Sequence, residues 1–193
     1  MMQSCSTLSQ VYEVDNDILV RTAKLEDAEM IAAYFTSNRE HLRPWEPKRE
    51  AAFFEAHGWA QRLIKLGELH KMQLGYYLLI IDINSGDMLG TISFSNLSRF
   101  PFYACNLGYS LAKNAQGKGI MGRALKMACH YMFKVQNLHR IMAGYMPINK
   151  RSEAVLMKMG FQAEGYAKNY LLIDGQWEDH NLTALINADW RPS

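Results

Sequence analysis

Gln116-Gly117-Lys118-Gly119-Ile120-Met121-Gly122 is the stretch that decides how the rest of this chain is read. It lies between an apolar strand pattern and a long apolar helix pattern, and its glycines let the main chain approach a ligand with no Cβ in the way. The helix beginning there aims free N–H groups and the positive end of its dipole at the same spot. The turn therefore predicts an anion cradle. Its spacing satisfies the G-x-G-x-x-G of dinucleotide-binding folds, but that is not the one rule it satisfies, and the flanking sequence has to choose.

Working outward, 103–111, 88–95 and 76–83 read as strands, the last two joined by the hairpin turn Asn84-Ser85-Gly86-Asp87. Upstream, 18–22 reads as a strand, 24–35 as a helix with Ala28, Ile31, Ala32 and Phe35 on one face, and 51–69 as a second helix; LRPWEP at 42–47 breaks the pattern between them. Downstream of the turn come a helix of about 15 residues, a strand over 140–146 and a helix over 150–159. Asn149 is suited to cap that last helix, and Gly160 to stop it, with Leu156 and Phe161 at the two apolar positions of a Schellman motif. A closing hairpin, 166–173 and 177–186, completes the order β-α-α-β-β-β-α-β-α-β-β. This predicts an α/β (α+β) fold, a single domain over 1–193 with a mixed, mostly antiparallel sheet of about seven strands and helices on its faces.

That order argues against a dinucleotide site. Such a fold wants the turn after its first strand and an acidic residue about 20 positions later for the ribose. Here the turn follows four strands, three of them linked by connections too short for parallel neighbours, and the acidic position holds His139 and Arg140. No G-x-x-x-x-G-K-[ST] occurs. Composition narrows the class further. At 193 residues and 49% hydrophobic content one core suffices; 21% charged residues and a formal net charge of +2 give neither the basic excess of a sequence-specific nucleic-acid binder nor the signature of disorder. Cys5, Cys105 and Cys129 show no C-x-x-C pairing, which predicts small buried thiols in a reducing compartment and no structural metal. There is no signal-peptide h-region and no apolar run approaching the roughly 20 residues of a membrane span, so a cytoplasmic, membrane-free protein is expected. Met121, Met127, Met132, Met157 and Met159 have helical spacing and are expected in the core.

The second rule, which 116–121 meets at Gln116 and Gly119 but not at its last position, is the [QR]-x-x-G-x-[GA] turn of acetyl-CoA-dependent N-acetyltransferases, and here the chain resembles the GCN5-related N-acetyltransferase (GNAT) superfamily. Gln116, Gly117, Lys118 and Gly119 match its pyrophosphate turn, and Asn149 to Ser152 and Lys158-Met159-Gly160-Phe161 look like its later motifs. Met121 departs from the pattern, standing where a small residue is usual, with Gly122 one position on; its side chain can turn into the core while its N–H serves the phosphate. LRPWEP (42–47), NLGYSL (106–111), AQGKGIMGRAL (115–125), HRIMAGYMPINKRS (139–152) and YLLIDGQWEDHNLTAL (170–185) together resemble the bacterial ribosomal-protein alanine N-acetyltransferases.

The resemblance implies acetyl-CoA as cosubstrate, no metal, and a central strand pair that splays to admit the pantetheine. Backbone N–H groups of Gly117, Lys118, Gly119, Ile120, Met121 and Gly122, beside Gln116, would hold the diphosphate, with the Lys118 side chain either a nearby positive charge or a solvated loop lysine. Tyr109, Ser110 and Leu111 would border the pantetheine, Leu111 N–H donating to the thioester oxygen. Asn149 would bind the pantetheine amide and Ser152 approach the sulfur, although a helix cap accounts for the pair as well. Ser152 is the first candidate to protonate the leaving thiolate and Tyr145 the second. Glu46 is the candidate base, against the alternative of a surface carboxylate near Arg43 and Lys48. In related ribosomal-protein acetyltransferases a glutamate in the strand after the E-G pair is a proposed base, but the matching position here is Leu171, so that role does not carry over. His41, Trp45, Glu46, Trp59 and Tyr170 are candidates for the acceptor groove, though aromatic residues at such spacing also serve cores.

The acceptor implied by the resemblance is the N-terminal alanine of the fifth small-subunit ribosomal protein. A small amine such as an aminoglycoside or polyamine is an alternative acceptor. An assembly factor on small-subunit precursors is a third reading, motivated by Arg43, Lys48, Arg49, Lys150, Arg151 and Lys158, which solvated helix faces also explain.

Overall fold

The computed structural model describes residues 10–192; Cys5 lies outside them. The chain runs β1 (Tyr12–Asp15), β2 (Ile18–Thr22), α1 (Ala28–Ser37), α2 (Arg39–Leu42), α3 (Ala56–Lys71), β3 (Tyr76–Asp82), β4 (Met88–Ser98), β5 (Ala104–Leu111), α4 (Ile120–Lys134), β6 (Arg140–Tyr145), α5 (Lys150–Lys158), β7 (Gln162–Ile173) and β8 (Gln176–Ile186). The strands form one sheet in the order β1-β2-β3-β4-β5-β6-β8-β7. It has eight strands, not about seven. The additional strand, β1, is a short and largely exposed edge turning back onto β2 through Asn16 at φ 53, and exposed edges carry little apolar pattern. The LRPWEP segment is also more ordered than a plain break: α2 is followed by a 3-10 turn over Arg43–Trp45.

β3 shows why this sheet is covered on both faces. Its sequence YYLLIID is almost continuously apolar, as a strand buried on two sides must be. Neighbouring residues point to opposite faces, and Tyr76 meets Tyr131 of α4 while Tyr77 meets Trp59 of α3. α1 and α3 therefore pack on one face, and α4 with α5 on the other. Of the methionines expected inside, Met121 and Met132 are buried and Met127 and Met159 pack against the core, whereas Met157 is 41% exposed on the outer face of α5. Cys105 and Cys129 are buried free thiols, and burial pushes the Cys129 thiol up to about 12. No helix among the described residues is long and apolar enough to cross a membrane.

All neighbouring strands pair antiparallel except β5 and β6, which run parallel and pair only over Ala104↔Arg140, Cys105↔Ile141 and Asn106↔Met142. Beyond Asn106, β5 stays with β4 as far as Gly90↔Leu111, and β6 stays with β8 as far as Tyr145↔Asn181. The central pair thus splays, leaving a gap between 107–111 and 143–145 that opens toward the glycine turn.

Candidate active site

The turn at the mouth of this gap has the geometry its sequence predicts. Gly117 and Gly119 sit at φ 74 and 73, a left-handed conformation that a side chain would strain, and a Cβ on either would meet no atom within 4 Å. Backbone conformation, not crowding, requires glycine there. Gly119 is the N-cap of α4, and the first intrahelical bond runs from Arg123 N–H to its carbonyl at 3.2 Å, so the N–H groups of the first turn have no acceptor within the helix. Met121 is 5% exposed with its side chain in the core, which leaves its main chain on the helix end. These N–H groups and the dipole fit a diphosphate.

β5 supplies the gap's second wall through its backbone. Ala112 N–H bonds to Leu89 of β4 at 2.8 Å, and donors alternate sides along a strand, so Leu111 and Tyr109 turn their N–H groups away from β4 into the gap. That edge can complete a sheet with an extended amide such as a pantetheine arm. The Ser110 side chain points to the other face: its Oγ lies 2.9 Å from Tyr34 Oη and 2.9 Å from Thr91 Oγ1, and Thr91 in turn bonds Tyr77. Burial raises the Tyr34 and Tyr77 phenols well above their usual range, so both are neutral donors.

α5 closes the gap from the opposite side. Asn149 Oδ1 accepts from Ser152 N–H at 3.1 Å, the cap that its position predicts, and Gly160 and Phe161 complete a Schellman end with bonds to Met157 and Leu156 of 3.0 Å each. Capping fixes Ser152 in the first turn, where its Oγ lies 2.7 Å from the Tyr109 hydroxyl. Burial pushes the Tyr109 phenol up to about 12, with the Ser152 bond opposing the shift. Tyr145 is placed differently. Its hydroxyl donates to Glu153 Oε1 at 3.0 Å, and Glu153 also holds Lys150 at 2.9 Å. The structure thus joins Ser152 to Tyr109 and gives Tyr145 a separate carboxylate partner.

Gln116 ties the turn to both neighbours: Arg151 donates to its Oε1 at 2.6 Å, and its Nε2 lies 3.0 Å from His41 Nε2. Desolvation depresses the His41 pKa, Arg151 and Lys113 add to this, and a bond to the Leu111 main chain opposes it. The neutral imidazole of His41 is thus favoured at the gap's mouth. From there the chain runs through the 3-10 turn to Glu46, which is half-buried with Arg49 at 3.5 Å. Burial raises the Glu46 carboxyl pKa and Arg49 pulls the other way. The β7–β8 turn docks on this loop, with Asp174 N–H donating to the Glu46 carbonyl at 3.0 Å and Arg43 Nε 3.5 Å from the Asp174 carboxylate. Trp45 and Tyr170 are 36% and 45% exposed on the two flanking elements, and Tyr170 stands 5.6 Å from the His180 ring. Trp59 is a core residue, stacked on Phe35 at 5.3 Å, that also lines a concavity beside Glu46.

Two features escaped the sequence reading. The strand position of Tyr109 accounts for its backbone, and its hydroxyl is legible only once the gap sets it beside Ser152. The hydroxyl chain Tyr34–Ser110–Thr91–Tyr77 depends on the register Thr91↔Ser110, which no local spacing encodes. Among the described residues no cluster of three or more His, Cys, Asp or Glu side chains could hold a metal ion.

Known proteins resemble this arrangement over almost the whole chain. The family profile described as Acetyltransferase (GNAT) domain matches residues 17–162. The [ribosomal protein uS5]-alanine N-acetyltransferase of Escherichia coli is 46% identical over 187 residues, covering 97% of this chain and 96% of that protein. The crystal structure of ribosomal-protein-S5-alanine acetyltransferase from Vibrio fischeri superposes with a TM-score of 0.92 at 53% identity, covering 94% of this chain and 100% of the other. Mycobacterium smegmatis RimJ in complex with CoA-disulfide superposes with a TM-score of 0.84 at 28% identity, over 91% and 85% of the two chains.

Proposed function

Because the chain belongs to the GNAT acetyltransferase family and takes acetyl-CoA as cosubstrate, we propose that it acetylates the N-terminal α-amine of a protein, the alanine terminus of ribosomal protein uS5. The observation that carries the acceptor is the likeness to the E. coli uS5-alanine enzyme across 97% of the chain. The open gap supports a chain terminus, whose amine can enter end-on beside the Glu46 loop.

Acetyl-CoA supplies the activated acetyl thioester. Gly117 to Gly122 bind the diphosphate through main-chain N–H groups, with the Lys118 side chain as an adjacent charge. Tyr109 and Leu111 hold the pantetheine along β5, and Asn149 orients its amide from α5. Leu111 N–H faces the position where negative charge grows on the thioester oxygen. Glu46 receives the proton lost by the amine, through water where the two are not in contact. On the far side of the reacting carbon, Ser152 delivers a proton to the departing thiolate and is replenished by Tyr109, to which it is already bonded. Tyr145, bonded to Glu153, holds the first turn of α5 in place.

Intact-mass analysis of small-subunit ribosomal proteins, purified without acetylation and incubated with the enzyme and acetyl-CoA, tests the reading. The expected outcome is a gain of one acetyl group on the N-terminus of uS5 alone. Acetylation confined to lysine side chains or to small amines would overturn it.

A further inference from the structure

Two concavities of about 260 and 300 Å³ open beside Glu46 and share Phe35, Glu46, Arg49 and Phe53. Their walls carry Arg39, Arg43, Lys48, Arg49, Arg62 and Lys65 against the carboxylates of Glu46 and Asp174. This local excess of positive charge is larger than the formal +2 of the whole chain, so it reflects placement and not composition. Three of the guanidiniums are set on aromatic faces: Arg39 is 4.4 Å from the Phe54 ring centre, and Arg49 and Arg62 are 4.4 and 5.1 Å from that of Phe53. Stacking fixes the plane of a guanidinium and leaves its N–H edge to meet a carboxylate. Arg43 is engaged by Glu40 and Asp174, but Arg39 and Arg62 have no carboxylate within ion-pair distance among the described residues. Arg49 reaches Glu46 through Nη2 at 3.5 Å while its Nε is buried with no acceptor among those residues, so Glu46 satisfies its guanidinium only in part.

We propose that this surface holds acidic side chains of the acceptor, so that the enzyme selects protein N-termini carrying carboxylates within the first several residues behind the reacting amine. The inference rests on the N-terminal acceptor proposed above and names the substrate class that the site prefers. Arg39 is on α2, Arg43, Lys48 and Arg49 follow on the loop after His41, which stands beside Leu111, and Arg62 and Lys65 of α3 line the concavity that shares Arg49, so a chain whose amine reaches the gap passes over this surface, advancing roughly 3.3 Å per residue if extended. Each concavity has room for a carboxylate side chain and its hydration. Glu46 and Asp174, standing among the cations, suit spaced carboxylates better than the unbroken charge of a nucleic-acid backbone.

The test uses N-terminal alanine peptides of equal length in which early glutamates are kept, changed to glutamine, or changed to lysine. Acidic peptides should have a KM about tenfold lower than their glutamine counterparts, roughly the worth of one charge-assisted contact, while the KM for acetyl-CoA stays constant. In the double variant Arg39→Glu/Arg62→Glu the preference should invert, with lysine peptides rescued; a merely structural role for these arginines would lower all three peptides alike. Equal kcat/KM across the charge series, or an unchanged order in the variant, overturns the proposal. So does an RNA oligonucleotide that displaces every peptide irrespective of its charge. Failure to acetylate any alanine-ended peptide would sink the N-terminal acceptor reading and this one with it, a pattern distinct from transfer without charge discrimination.

Discussion

Ser152 and Tyr109 reach across the gap from α5 and β5 and share one hydrogen bond of 2.7 Å, and in the proposed mechanism they serve the departing sulfur as a unit. A thiol of pKa about 8.5, by analogy with cysteine, leaves readily without full protonation, which limits what the pair contributes. Ser152→Ala is expected to lower kcat about tenfold, Tyr109→Phe by a similar factor, and the double variant little more than either, because the second hydroxyl has lost its route once the first is gone. Additive losses would assign them separate tasks. In the proposed mechanism Glu46 serves the other reactant. An α-amine of pKa near 8 is roughly one-tenth neutral at pH 7, so log kcat/KM should fall with a slope of about one as pH drops. Burial raises the Glu46 pKa, Arg49 opposing, and catalysis needs its carboxylate form. The slope should therefore steepen to about two at a pH above the ordinary glutamate value of about 4.3. Glu46→Gln should keep the single slope and the KM for acetyl-CoA while losing about tenfold or more in turnover; unchanged turnover would remove Glu46 from the mechanism.

At the level of elements, what could be read beforehand is what local chemistry declares. The glycines of the turn, the Asn149 cap and the Gly160 stop each follow from constraints within a few residues, and each lies where its spacing puts it. The interior strand β3 announces itself by an apolar run that must be buried on both faces, and β4 and β5 by apolar residues interspersed with small polar ones. β1 lacks that pressure, since Tyr12 and Val14 are 68% and 54% exposed at the edge of the sheet. β7 begins at Gln162, earlier than the sequence suggests, because bulges between Ala163 and Gly165 and between Ala167 and Leu171 interrupt its alternation. The same division runs through the site. Residues that act through backbone or caps were legible, whereas the Tyr109 hydroxyl, the Arg49 partner of Glu46 and the hydroxyl chain under Ser110 arise where elements distant in sequence meet.

Over the whole molecule, the gap divides the sheet into β1 to β5 on one side and β6, β8 and β7 on the other, joined by only three β5–β6 residue pairs. Outside the sheet the halves are bridged by side chains, Tyr109 to Ser152 and Gln116 to Arg151. A ligand that bonds both walls of the gap therefore couples the halves and stiffens the boundary more than either interior. CoA, which binds without turnover, should show this. At about one hundred times its Kd it should stabilise the fold by ~2.7 kcal/mol, which for a chain of this size corresponds to a Tm increase of roughly 5–10 °C. Hydrogen exchange locates the effect. The gap-facing amides of Tyr109 and Leu111 have no strand partner on that side, so their exchange should slow more on CoA addition than that of β2 and β3 amides paired in the sheet interior. Slowing spread evenly over the sheet, or absent at Leu111, would mean that CoA does not complete the sheet along β5, and the Leu111 N–H would lose its assignment as the donor to the thioester oxygen.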